Sequence, residues 1–303
     1  MSPQHHKTYR QSGASLVAVL WLIGFLGLAI LGAAKFVTLD TSWATKVKKR
    51  AEAKNLAETG LALGTHPRVK SGDPLLRSFD PETETGYEVR ITSEEGLIPL
   101  NQVLLSGRKD CLKRLFEIWG QDPDEAASLV DAMRDWIDAD GLASLNGAES
   151  PAYDAAGRSG FPFNRPFASL GEVDLVIGME RLAALKPEWK DYFTLWSMGQ
   201  IDLNEASAEI VYAAIGAGDL TRAEEFVLLR DGADGASGTL DDQKFPSVQS
   251  VVAFFGAQAD PSNTLLTARS ATRRVYSKGI YRGEAVGISE TRRSNLLLWR
   301  REQ

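Results

Sequence analysis

The side chains best suited to chemistry in this chain are carboxylates gathered in short runs. Residues 231–242 read DGADGASGTLDD, which sets Asp231, Asp234, Asp241 and Asp242 in one glycine-bearing loop able to fold back on itself. Hard oxygen ligands in a flexible loop suit Ca2+, which takes six to eight of them. Without a cation the four acids repel one another and ordering the loop is costly. The plain alternative is a solvated acidic turn. Asp138, Asp140 and Glu149 form a second set, spaced as positions 1, 3 and 12 of an EF-hand. Leu142 and Ala143 occupy the places where that loop needs a ligand and a glycine, so this is not an EF-hand. A helix end followed by a polar turn explains the same residues.

Other chemistries fall away. One cysteine, Cys111, forbids an intramolecular disulfide, and with His5, His6 and His66 it cannot assemble a zinc cluster. His66 is isolated, no nucleophile elbow or P-loop occurs, and Cys111 lies in a helical pattern that suits a buried structural thiol. No catalytic residue is assigned. A net charge of -6 over 303 residues argues against a nucleic-acid binder, which needs a surplus of Lys and Arg.

The acids require a scaffold, and its first element is unmistakable. Residues 14–34, ASLVAVLWLIGFLGLAILGAA, are 21 residues without a charge, about 30 Å of helix and one bilayer core. Lys7 and Arg10 ahead of them predict a cytoplasmic amino terminus. The run is longer than the apolar core of a cleaved secretory signal. Phe36, Leu39, Trp43, Val47 and Ala51 continue at helical spacing and no Pro interrupts residues 14–66, so the helix should extend about 75 Å, half in lipid and half against a soluble domain.

Beyond it, residues 87–100 read as two strands around a turn at 94–96, with Asn101 starting a helix. The pattern G-x-I-x-L-N occurs at 96–101 and again at 199–204. Each copy is followed by a second echo, Phe167-Ala168-Ser169-Leu170 and Phe245-Pro246-Ser247-Val248, so the chain holds two related helical units. Asn101 and Asn204 are expected to cap helices, and Ser169 with Glu172 to form a capping box. Helices are predicted over 110–119 and 123–137. From Thr264 onward the chain is rich in β-formers, with turns expected at 277–279, 282–283 and 293–295. This stretch holds nine Lys/Arg against three Asp/Glu: solvated strand faces, or a contact for an acidic neighbour.

A basic leader ending in Gly13, a small residue, and a long apolar helix entering a soluble domain resemble a type IV prepilin or pseudopilin. The resemblance implies cleavage between Gly13 and Ala14 by prepilin peptidase and methylation of the new terminus. Ala18 stands where the family usually carries Glu, a carboxylate thought to pair with the terminal ammonium of a preceding subunit. This absence and the large soluble part resemble the K-type minor pseudopilin of bacterial type II secretion. AEAKNLAETGLAL at 51–63, DWIDAD at 135–140, NGAE at 146–149 and FNRPFASLGEVDLV at 163–176 resemble the same family in the same order.

The resemblance implies an α+β pseudopilin fold: a long N-terminal transmembrane helix, a small antiparallel sheet and a large inserted helical domain. Expected divisions are a leader at 1–13, the long helix at 14–66 with 14–34 in the membrane, strands at 67–101, the helical domain at 102–262 and closing strands at 263–303. It further implies a tip subunit in the inner membrane with a periplasmic domain, initiating assembly with I- and J-type minor pseudopilins. The major pseudopilin, prepilin peptidase and the inner-membrane secretion platform would be further partners, and Ca2+ a candidate cofactor. The rivals are a membrane-anchored binding module with helix-hairpin-helix-like units, a related pilus tip, and, more distantly, a tethered hydrolase.

Overall fold

A computed structural model describes residues 12–197, 199–235, 237–239, 241–260, 263–294 and 296–302, with backbone alone for 12–15, 33–34 and 36–42. Helix α1 runs from Ser12 to Thr65 without a break, as the absence of proline permits. Its described side chains over 16–32 are exposed on all sides.

Where α1 meets the rest of the chain, size decides the contact. Ala53, Ala57 and Leu61 are buried, whereas Trp43 and Val47, on the line expected to pack, are 69% and 61% exposed. The described part of the apolar line, Trp43, Val47 and Ala51, therefore stands clear of the sheet. Docking uses the small residues further along. A Cβ on Gly279 would lie 2.0 Å from the Ala53 carbonyl oxygen, and Cβ atoms on Gly60 and Gly64 would strike Ser277, Val89 and Val275. Small residues let two backbones approach at the distance on which this packing depends.

The sheet that receives α1 has the order β1-β2-β7-β8-β9 among the described residues: Arg77–Asp80, Thr85–Thr92, Thr272–Tyr281, Glu284–Arg293 and Leu296–Glu302. All four pairings are antiparallel. Alternation turns Val89, Val275 and Ile288 toward α1 to form a small core with Ala57 and Leu61. The turn expected at 277–279 does not form. Those residues lie inside β7, where Gly279 serves the helix contact. The turn at Arg282 and Gly283 does form, both at positive φ.

Between β2 and β7 the chain leaves the sheet to build the helical domain. Its first unit holds β3 (Ile98–Pro99), α2 (Leu100–Leu105), α3 (Asp110–Ile118), α4 (Pro123–Ile137), α5 (Ser150–Ala155), α6 (Leu170–Val173), α7 (Met179–Leu185) and β4 (Phe193–Thr194). The second holds β5 (Ile201–Asp202), α8 (Ala208–Ile215), α9 (Leu220–Arg230), α10 (Val248–Phe254) and β6 (Leu266–Thr267). In each unit the short opening strand pairs in parallel with the closing one. The two units share one core, including Leu112, Phe116, Trp136, Ile210 and Phe226.

The repeat is structural in an unexpected way. Asn101 does not start or cap a helix: it lies within α2, and its side chain binds the backbone of Phe167, donating to the carbonyl at 3.0 Å and accepting from the N–H at 2.9 Å. Asn204 treats Phe245 identically, at 2.9 and 2.8 Å, and also donates to the Ala268 carbonyl. The two echoes in sequence are thus the two ends of one clamp, made twice. Ser169 makes no capping bond; the reciprocal box forms instead at Ser247 and Ser250. Glu172 is drawn away by Arg165 at 3.1 Å.

Because each clamp satisfies part-buried backbone groups, removing it leaves them short of partners. Asn101→Ala and Asn204→Ala are each expected to cost about 2 to 3 kcal/mol in denaturant unfolding of the detergent-solubilised chain. Ser169→Ala should change stability by less than about 0.5 kcal/mol.

Candidate functional site

The loop 231–242 has settled its charges internally. Asp231 is buried against Arg230, which reaches both carboxylate oxygens at 2.7 and 3.1 Å. Arg230 also donates to the carbonyls of Leu203 and Ala206, so this pair anchors the start of the loop. Asp241 accepts from the N–H of Ala233 at 2.7 Å and from the Thr239 hydroxyl at 2.7 Å. Those donors hold its carboxyl below the ordinary range. Asp242 accepts from the N–H of Gly238 at 2.9 Å and pairs with Lys244 at 3.3 Å. Asp234 lies within reach of the same Thr239 hydroxyl at 3.3 Å.

At the end of α4 the balance is different. Asp138 follows the helix directly, and its Oδ2 stands 3.6 Å from Arg134 Nε, while its Oδ1 is buried without a hydrogen-bond partner. Glu149 is buried and its Oε1 also lacks a donor. Burial raises both carboxyls above their usual range, and the negative charges of Asp135, Asp138 and Asp140 add to the effect. Asp140 accepts from the N–H of Leu142 at 2.9 Å.

Asp135, which the spacing analysis did not single out, is fully buried beneath this turn and accepts from the N–H and hydroxyl of Ser144. A Cβ on Gly147 would lie 1.9 Å from Asp135 Oδ2, so the turn closes only around glycine. The signal available in the sequence was DWIDAD itself, which sets Asp135, Asp138 and Asp140 close together in the chain at a helix end. As a donor set this is all oxygen, the kind a hard cation takes. No group of three or more His, Cys, Asp or Glu stands together closely enough to hold a metal among the described residues.

The amino-terminal site is described only in part. Gly13 and Ala14 are in the first turn of α1 by their backbone, residues 1–11 of the expected leader lie outside the described residues, and Ala18 is exposed on the apolar stretch. Among the described residues, no helix is long and apolar enough to cross a membrane. The described apolar side chains cover 16–32, whereas the span expected over 14–34 ends on residues whose side chains lie outside the description.

Comparison with known proteins bears on this architecture. A family model described as type II secretion system (T2SS), protein K, matches residues 100–187. The chain carries a protein K domain. The type II secretion system protein K of Klebsiella pneumoniae is 39% identical over 67 residues, 22% of this chain and 21% of that protein. That of Dickeya chrysanthemi is 30% identical over 92 residues, 30% of this chain and 24% of that protein. The matched stretches thus span about a quarter or less of these relatives.

A chain of the GspK-GspI-GspJ complex from the enterotoxigenic Escherichia coli type 2 secretion system has the same fold. The TM-score is 0.57 at 17% identity, covering 88% of this chain and 99% of that one. The protein K domain begins at Leu100, where β3 gives way to α2, and takes in the Asn101 clamp and the acids at the end of α4.

Two further acids mark the junction of the second unit with the sheet. Burial raises the carboxyls of Asp202 and Glu205; for Asp202 the Ser270 hydroxyl, and for Glu205 the Lys244 ammonium, offset part of the effect. A carboxyl that binds its proton more tightly when folded loses stability as pH rises through the window above its unfolded value. Glu205→Gln should therefore melt with the parent near pH 4 and higher than the parent near pH 7. Thermal melts across that range check the sign.

Proposed function

We propose that the chain is a minor pseudopilin acting at the tip of a type II secretion pseudopilus, where it starts assembly with I- and J-type minor pseudopilins and supports protein export across the outer membrane. The observation that carries this reading is where the helical domain sits along α1. Gly279 meets Ala53, Ser277 meets Gly60, and Val275 meets Gly64. As α1 advances, β7 therefore runs back toward its own start, and the start of β7 is where the helical domain rejoins the sheet. The bulk of the chain thus stands beyond the end of α1 that is farthest from residues 16–32. A mass in that place supports a terminal position, because it obstructs a subunit stacking above.

In this reading α1 inserts residues 14–34 into the inner membrane, and the domain faces the periplasm. An apolar helix exposed on all sides is stable where lipid surrounds it. Ala18 fits a founder subunit: with no neighbour ahead there is no terminal ammonium to repay the burial of a carboxylate. Prepilin peptidase, the major pseudopilin and the inner-membrane platform are the remaining partners, and work is done by assembly, with no bond broken in a substrate. The protein K family is a structural component of secretion, which supports this.

Mass spectrometry of the membrane-extracted chain should find Ala14 at its terminus, and Gly13→Val should retain all thirteen preceding residues and abolish secretion. Label on this subunit should decorate one end of the fibre. Label along its length refutes the tip.

Calcium belongs to the same proposal, and the partnerless oxygens of Asp138 and Glu149 direct it to the end of α4, where no third carboxylate among the described residues stands close enough to join them and backbone oxygens and water would complete the shell. A cation there would neutralise buried charge that the protein leaves uncompensated. EGTA should then lower the melting temperature. Asp138→Asn combined with Glu149→Gln should remove the dependence, while Asp241→Asn leaves it intact. The opposite pattern transfers the ion to the loop 231–242, and an unchanged melt excludes calcium.

A further inference from the structure

The five-stranded sheet ends in two edges of different kinds. β1 spans four residues, and so short an edge offers little for another strand to pair with. β9 spans seven, Leu296–Glu302, with neither Pro nor Gly to interrupt it. Among the described residues it pairs with β8 alone, and no backbone N–H or C=O of 296–302 bonds to anything outside that ladder. Leu296 and Leu297 are 62% and 44% exposed. A long edge with open backbone groups and apolar side chains is a template for a further strand.

The charges beside β9 have one sign left over. Glu302 pairs with Lys54 at 2.6 Å, Glu58 with Arg300, and Glu290 with Arg292 at 3.1 Å. Glu94, one strand further in, is taken by the hydroxyls of Thr194 and Thr291, with Arg274 at 3.6 Å. Helical period puts Glu52 on the opposite flank of α1 from Lys54, and Arg50 on the same flank. Each acid near the edge thus has its partner, while Arg50, Arg293 and Arg301 make no ion pair or side-chain hydrogen bond among the described residues. Arg50 and Arg301 are exposed; Arg293 stands opposite Leu296 with its Nε buried and without an acceptor.

We propose that β9 is a docking edge for an extended acidic segment of another protein, which joins the sheet as its sixth strand and sets carboxylates beside Arg50, Arg293 and Arg301. Backbone pairing supplies the attachment and the unpaired cations select the partner. The same surplus of positive charge acts against a second copy of this chain, because two such edges brought together repel. The proposal does not depend on where in a fibre the chain sits.

The test uses the full chain in detergent and a fluorescein-labelled peptide of alternating Glu and Val, followed by anisotropy at low salt. It should bind, and neither the matching Lys-Val peptide nor the Glu-Val peptide with every amide N-methylated should do so, the latter keeping its charges but losing its donors. Arg50→Glu with Arg301→Glu should weaken binding about tenfold or more, while Arg77→Glu with Lys278→Glu, the same charge change toward the other edge, should weaken it less than about twofold. Glu302→Gln should tighten binding, a gain that misfolding cannot produce. Absence of binding, undiminished binding of the N-methylated peptide, equal loss in the two double variants, or tighter binding of a heparin fragment than of the Glu-Val peptide overturns the proposal. So does dipolar broadening between spin labels on Leu297→Cys, the sign of a second copy seated on β9.

Discussion

Everything in this molecule is positioned by the distance between two backbones. Along α1, Ala53 and Ala57 meet the backbone of β7 at Gly279, while Gly60 and Gly64 make room for the side chains of Ser277, Val275 and Val89. Dispersion falls steeply with separation, so such contact is strong only where nothing bulky intervenes. The small core of Val89, Val275 and Ile288 packs around that line, and the ion pairs of Lys54 with Glu302 and Arg300 with Glu58 tie the edge strand β9 to the same helix. Those pairs are exposed and contribute little energy, but they fix how β9 lies against the stem.

From that contact the rest follows in order. With the helix seated on β2 and β7, the ends of those strands define where the helical domain leaves and returns. Two parallel strand pairs and two asparagine clamps then hold each unit closed. Arg114 of α3 donates to the Ala213 carbonyl of α8 at 2.9 and 2.7 Å, and Trp119 donates to Glu209, so the two units form one body. The domain is thereby held at the far end of the stem.

Charge is settled unevenly across the molecule. Arg230 with Asp231, and the Thr239-centred acids, close upon themselves. Asp138, Glu149 and Arg273 each keep one buried polar atom without a hydrogen-bond partner among the described residues. A buried polar group without a partner is costly.

Much of this was legible in the order of residues. The long helix, the two strands within 87–100, α3 and α4, and the doubled G-x-I-x-L-N were all readable, because each follows from local spacing, capping chemistry or the absence of proline, whereas the partners of those strands were not. What the repeated asparagines do was not readable, since a local cap and a clamp across 66 residues demand the same side chain and only folding chooses between them. Nor was the role of Gly279: a Ser-Lys-Gly run reads as a turn until a helix arrives to press upon it. The acids of 231–242 and of 138–149 look alike as composition, and only tertiary packing decided which had donors and which did not. Sequence determines the elements because their rules act within a few residues; burial, and with it the cost of every unpaired charge, exists only once distant segments have met.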